Sequence, residues 1–399
     1  MYRDPTFLRS HIRRIVAFYH PTVVDREVGG YFNGLKDDGK VYDRTTRHLV
    51  STCRHIYNYA VASALFDDHD LRQAARHGLA FLQDHHRQPD GGYAWVLDGR
   101  SVADGTRHCY GHAFVLLAVA TAAQAGLAEA DPVISEVFDL LEARFFEPEA
   151  LLYRDVIAAG DWDAIDPYRG QNANMHLCEA MLAAHAATGA PRYLERAYAI
   201  AQRICVDLAA ATDGLIWEHY GPDWSIDWDY NRDDPKNLFR PYSYLPGHFV
   251  EWAKLLVLLH RERPEPWLLE RARHLYDVAV ERAWDAERGG FNYTFGPDGS
   301  ILDTDRYYWV LAEAIAAAAQ LAVTTDDGSY WDWYDACWGY ADRHLFDHTH
   351  GGWYRVVDAD GRRYDDLKSP PAKTDYHPLS ACVVALDALG AVERPTRRH

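Results

Sequence analysis

A Pro-Gly turn at Pro246-Gly247 leads directly into His248, and Glu251 follows three residues later. The turn opens a helical run over 249–260, so His248 and Glu251 share one face of its first turn. A histidine there feels the positive end of the helix dipole, which disfavours imidazolium and leaves a proton-accepting ring. The chemistry this suits is general acid–base transfer, with Glu251 tuning the imidazole. The competing reading is purely structural: His248 caps the helix and Glu251 complements the dipole.

Comparable groups recur at the beginnings of five other apolar runs. Arg47, His48 and Arg54 belong to the run 45–66, and Arg107, His108, Tyr110 and His112 to the run 107–124. Asn172, Asn174 and His176 open the run 173–188, Trp309 and Glu313 lie in 307–323, and Tyr376 and His377 open 376–389. Burying such groups requires partners. A single histidine so placed is usually a satisfied core residue. Its recurrence in run after run points to a shared pocket.

Three chemistries fit such a pocket. Histidines acting as acid and base, with Arg54 for a developing oxyanion and aromatic rings for the sugar face, suit proton transfer on a carbohydrate. His176, His248 and His377 with Glu251 offer a metal-ligand set, although no H-E-x-x-H motif accompanies them. Glycoside hydrolysis needs two opposed carboxylates, for which Asp227, Asp229, Asp233, Asp234 and Glu313 are available. A sugar-binding protein without catalysis is the fourth reading.

The elements that position these residues repeat. Gly-turn-aromatic signals recur near positions 30, 92, 151, 214, 290 and 352, which divides the chain into six units. Before each signal lies an amphipathic run (7–20, 71–86, 132–146, 192–208, 267–284 and 330–346), and after it one of the apolar runs. Twelve helices in six hairpins, alternately outer and inner, predict an all-α (α/α)6 barrel forming one catalytic domain over 1–399. Links from outer to inner helices are long, so they gather on one rim with the N-termini of the inner helices. The longest, 215–245, is aromatic and acidic and is expected to wall or cover the cavity.

Composition narrows the function classes. A formal net charge of -18 argues against nucleic acid or an anionic membrane as partner. The longest apolar runs, such as 113–123, read as too short to span a bilayer, and the first residues lack a signal-peptide pattern. Six cysteines without a C-x-x-C pair read as reduced thiols of a cytoplasmic protein. The partner expected is a small monosaccharide, and the sequence leaves a homo-oligomer undecided.

Six motifs, in order and each at the start of an inner helix, resemble the N-acylglucosamine 2-epimerase superfamily. They are Arg47-His48-Leu49-Val50-Ser51-Thr52-Cys53-Arg54, Tyr110-Gly111-His112-Ala113-Phe114, Asn172-Ala173-Asn174-Met175-His176, Pro246-Gly247-His248 with Glu251-Trp252, Trp309 with Glu313, and Asp375-Tyr376-His377-Pro378. The resemblance implies an (α/α)6 barrel that moves a proton at C1/C2 of a reducing sugar with no metal and no cofactor. It makes His248 and His377 the acid/base pair and has Arg54, Tyr110, Asn172, His176, Glu251 and Trp309 hold the sugar. Arg240, in Phe239-Arg240-Pro241-Tyr242, is a further contact, and Glu313 and Tyr376 are counted with the binding set. The wording of the third and last motifs is closer to the branch that isomerises mannose to fructose, with lyxose a further candidate, than to the 2-epimerases.

Overall fold

The computed structural model describes residues 1–237 and 240–392, so Phe239 of the Arg240 motif lies outside the described residues. Runs rich in Ala, Leu and Val on most faces become helices buried nearly all round: α2 (Leu49–Phe66), α4 (Cys109–Gln124), α6 (Gln171–Thr188), α8 (Pro246–Glu262), α10 (Tyr308–Thr325) and α12 (Tyr376–Ala388). The amphipathic runs become α1 (Pro5–Tyr19), α3 (His69–Phe81), α5 (Asp131–Arg144), α7 (Pro191–Gln202), α9 (Pro266–Ala283) and α11 (Ser329–His344). Each inner helix packs on the next, and α12 returns to α2, which closes a ring of six. Each outer helix lies against at least one inner helix. The fold is the expected (α/α)6 barrel.

Inner helices turn sharply into outer ones because the residue past the helix end takes left-handed backbone. Asp67 (φ 50°), Gly189 (φ 71°) and Asp326 (φ 54°) end α2, α6 and α10 in this way. The opposite rim is built differently. The residues before each inner helix pair with the long link of the next unit: Thr46–His48 with Val96–Asp98, Arg107–His108 with Val156–Ile157, and Arg169–Gly170 with His219–Tyr220. Tyr244 pairs with Phe295, Arg306–Tyr307 with Val356–Val357, and Ser369 with Leu35. This circle of short antiparallel contacts fixes the six inner-helix N-termini relative to one another, and with them the side chains they carry.

Cations just before the inner helices brace the same rim. Arg47 reaches Asp25 at 2.5 Å, Arg107 both oxygens of Asp90 at 3.0 Å, Arg169 Glu147 at 2.8 Å and Arg306 Asp285 at 2.8 Å, while Lys368 pairs with Asp347. Arg47 and Arg107 are therefore struts rather than cavity groups. The predicted helix start at 45 falls just before a strand and that at 107 on one, and the helices begin at Leu49 and Cys109.

One composition reading needs correction. The helix Tyr308–Thr325 has 18 residues with mean hydropathy 1.2, long and apolar enough by length and composition to cross a membrane, but 78% of it is buried inside the barrel. All six cysteines are free and buried.

Candidate active site

The inner-helix N-termini surround a cavity of about 590 Å³, within the usual range for a small-molecule site. Of the expected residues, Arg54, Tyr110, Asn172, His176, Arg240, His248, Glu251, Trp309 and His377 line it. Glu313 and Tyr376 do not. They sit one layer behind, Glu313 under His377 and Tyr376 against the Arg54 guanidinium, 5.1 Å from its ring centre. The long link contributes Glu218, His219, Tyr230, Asn231, Asn237, Arg240 and Pro241, so it walls the cavity as expected. Asp227, Asp229, Asp233 and Asp234 do not line it, which leaves the expected hydrolase carboxylates outside the site.

The two histidines are mounted alike. His377 Nδ1 lies 2.6 Å from Glu313 Oε1, and its Nε2 lies 3.2 Å from Arg54 Nη2. A guanidinium only donates, so Nε2 accepts and the proton sits on Nδ1, facing the carboxylate. Burial, with the Arg54 charge beside it, pushes His377 well below the ordinary histidine range. Its ring is thus neutral at neutral pH.

His248 is held through a longer relay. Trp252 Nε1 donates to Gln171 Oε1 at 2.7 Å, which turns the Gln171 amide nitrogen towards Glu218 Oε2 at 2.9 Å. His248 Nδ1 lies 2.9 Å from both Glu218 Oε1 and Gln171 Nε2; the carboxylate is the stronger, charge-assisted partner, so Nδ1 donates to it and Nε2 is left for a bound molecule. The expectation that Glu251 tunes His248 is therefore wrong. Glu218 does so, while Glu251 meets other neighbours, 3.9 Å from both His176 and Lys254. The capping role considered for His248 belongs instead to His48, whose Nδ1 accepts from Val50 N at 3.2 Å.

Trp309 joins the two imidazoles, with ring centres 5.2 Å from His248 and 5.9 Å from His377. Its position depends on Gly247, where a Cβ would stand 2.4 Å from the indole. Arg54 is clamped between the rings of Phe114 and Tyr376 and donates to Tyr110 Oη at 3.1 Å and to Ala372 O at 2.6 Å. Among the described residues, three polar atoms of cavity-lining side chains are buried without a partner, Arg54 Nε, Asn172 Oδ1 and Glu251 Oε1. Burial, reinforced by nearby Glu313, pushes the Glu251 carboxyl well above its usual range, which favours its protonated form. Other rim groups serve the fold. His112 Nε2 accepts from Tyr93 N, and Asn174 Oδ1 from Tyr153 N, each pinning the turn behind it.

Sequence reading missed Glu218, Gln171, Lys254 and Asp155. Glu179, Glu251, Glu313, His176 and His377 include two triads with the close spacing of metal ligands. The ammonium of Lys254 already stands among them, 2.6 Å from Glu313, 3.2 Å from Glu179 and 3.9 Å from Glu251.

Asp155, which lines the outer cavity and accepts from Gly170 N at 2.6 Å, is pushed by burial up to about 7. Its unfolded value is near 3.9. Between these values the native chain holds a proton that the unfolded chain has lost, so Asp155 makes stability fall as pH rises through that window. Asp155→Asn keeps the acceptor and removes the titration. Thermal melts across a pH series are expected to fall less steeply towards pH 7 for the variant than for the wild type.

The chain belongs to the N-acylglucosamine 2-epimerase (GlcNAc 2-epimerase) family, whose model matches residues 30–381. Within that family it is similar to the D-mannose isomerase of Marinomonas mediterranea, at 48% identity covering 96% of this chain and 97% of that protein. It is also similar to the D-mannose isomerase of Thermobifida fusca, at 38% identity over 92% and 89% of the two chains. A crystal structure of a D-mannose isomerase superposes with a TM-score of 0.95 at 48% identity, covering 96% of this chain and 98% of that one.

Proposed function

We propose that the chain is a metal-independent aldose–ketose isomerase that interconverts D-mannose and D-fructose by proton transfer through a cis-enediolate. The observation that carries this is the pair of carboxylate-backed imidazoles set against one indole in one cavity, each with Nδ1 protonated and Nε2 an acceptor, held by Arg54 at His377 and turned to the cavity at His248. The close D-mannose isomerase relatives support the choice of sugar.

After ring opening, the sugar oxygens draw the Arg54 donor from His377 Nε2, which removes the C2 proton, exchanges it with solvent and delivers a proton to C1, so one base serves one face of the enediolate. Negative charge builds on O1 and O2. Arg54, fixed by Tyr110 and Ala372, stabilises it, an interaction worth about 3–4 kcal/mol in sites of this kind. His248 moves protons at oxygen during ring opening and between O1 and O2. Glu251, protonated, and Asn172 Oδ1 supply a donor and an acceptor to sugar hydroxyls, which gives these two of the three orphaned atoms a partner. The whole chain acts as one catalytic domain. Six free, buried thiols support a reducing, cytoplasmic setting.

A second reading rests on the same pair. Two accepting imidazoles on opposite faces of C2 would epimerise mannose to glucose instead. Product analysis with mannose, glucose, lyxose and cellobiose, with and without a chelator, separates the readings. Fructose from mannose at a chelator-independent rate is expected. Glucose in place of fructose, cleavage of cellobiose, or a lost rate restored by zinc or manganese would each overturn the proposal.

A further inference from the structure

Lys254 stands in the middle of α8, inside a stretch that is otherwise apolar apart from Glu251, and its ammonium is almost wholly shielded from solvent. The mechanism above does not use it. Its Nζ donates to Glu313 Oε2 at 2.6 Å, and the other oxygen of Glu313 holds the Nδ1 proton of His377 at 2.6 Å. On the other side Nζ meets Glu179 Oε1 at 3.2 Å, and Glu179 Oε2 faces His176 Nδ1 at 3.4 Å. One buried cation thus stands behind two carboxylates, each of which carries a histidine of the cavity.

We propose that Lys254 is a positioning residue for proton transfer, the fixed cation through which Glu313 orients and polarises the Nδ1 side of His377. Charge bookkeeping agrees. With Glu251 protonated, the cations Arg54 and Lys254 balance the anions Glu179 and Glu313, all buried side chains except Glu179, which is 12% exposed. Burial raises the Glu313 carboxyl, and the largest effect opposing it is the charge of Lys254. Burial works against Glu179 too, yet Lys254 and His176 hold it low. The titratable groups around Lys254 and its carboxylates come from five of the six inner helices: His176 and Glu179 on α6, Glu251 on α8, Glu313 on α10, Tyr376 and His377 on α12, and Tyr57 on α2. Without the ammonium, Glu313 takes up a proton at neutral pH, its neutral acid supports the imidazole less, and His377 becomes a poorer base.

The inference rests on the isomerase reading for its kinetic test, but not for its spectroscopic one. In the full-chain enzyme, Lys254→Met and Lys254→Gln are expected to lower kcat for D-mannose about 30-fold with KM nearly unchanged, because the lost term acts on the base and not on sugar contacts. Their kcat recovers as pH rises and Glu313 ionises, so the acid limb moves to higher pH. Lys254→Arg restores most of the rate. In sugar-free enzyme carrying isotope-labelled histidine, the His377 Nδ1 proton resonance shifts in the Met and Gln variants and stays in place in the Arg variant. A chain that failed to isomerise mannose would still report this shift, which keeps the two claims separable. Lys254→Gln decides the matter if Lys254→Met does not fold. A wild-type pH profile, an unshifted resonance, or a loss shared by KM and kcat that Arg does not repair would each overturn the proposal.

Discussion

Replacing His377 by Asn is expected to lower mannose turnover by about 10⁴-fold, the upper end of what a general base contributes. The amide can still donate to Glu313 Oε1, so the pocket keeps its shape and its hydrogen bond, but nothing remains to accept a proton from carbon. Arg54, Tyr110 and Trp309 are untouched, so sugar binding stays close to wild type. The measurement is kcat and KM for mannose beside a direct binding titration. A variant that keeps even a tenth of the wild-type rate would remove His377 from carbon chemistry.

Glu218→Gln is expected to cost about 10³-fold in kcat, because it disturbs the tautomer of the second imidazole and leaves its position intact. The Glu218 carboxylate accepts from two donors at once, Gln171 Nε2 and His248 Nδ1, each at 2.9 Å. A glutamine offers one oxygen and one amide. Either Gln171 faces a second amide, or His248 must accept at Nδ1 and carry its proton on Nε2, where it can no longer act as a base. Gln171 cannot turn to relieve the conflict, since Trp252 Nε1 holds its oxygen at 2.7 Å. Single-turnover kinetics of ring-closed mannose should show the loss in the early, oxygen-centred steps. Unchanged kinetics would reduce Glu218 to a structural acid.

The barrel was legible because its units are punctuated by turn glycines and because inner and outer runs differ in how many faces are apolar. His248, His377, Arg54 and Trp309 were legible because costly polar groups recur at equivalent places in otherwise apolar runs. The circle of two- and three-residue pairings was not. Arg107–His108 and Arg169–Gly170 are too short to show a period, and their partners lie in other units. For the same reason Arg47 and Arg107 looked like cavity groups when they are struts.

Glu218 escaped notice because its neighbours Trp217 and His219 dominate a stretch that reads as an aromatic loop, and nothing local ties it to His248 thirty residues on. A signal for Lys254 did exist. A lysine three residues after a glutamate, inside the apolar run of α8, is as costly to bury as the histidines that were noticed. The assignment of Glu251 to His248 followed helix spacing alone. Spacing puts both residues on one side of a turn, but the neighbouring helices decide which partner each one meets.

The most direct test of the central claim follows mannose and the enzyme by NMR in deuterated water. Fructose carrying solvent deuterium at C1 is expected, with both fructose formation and exchange at C2 abolished in His377→Asn. Undiminished exchange in that variant, or glucose appearing without fructose in the wild type, would contradict that claim.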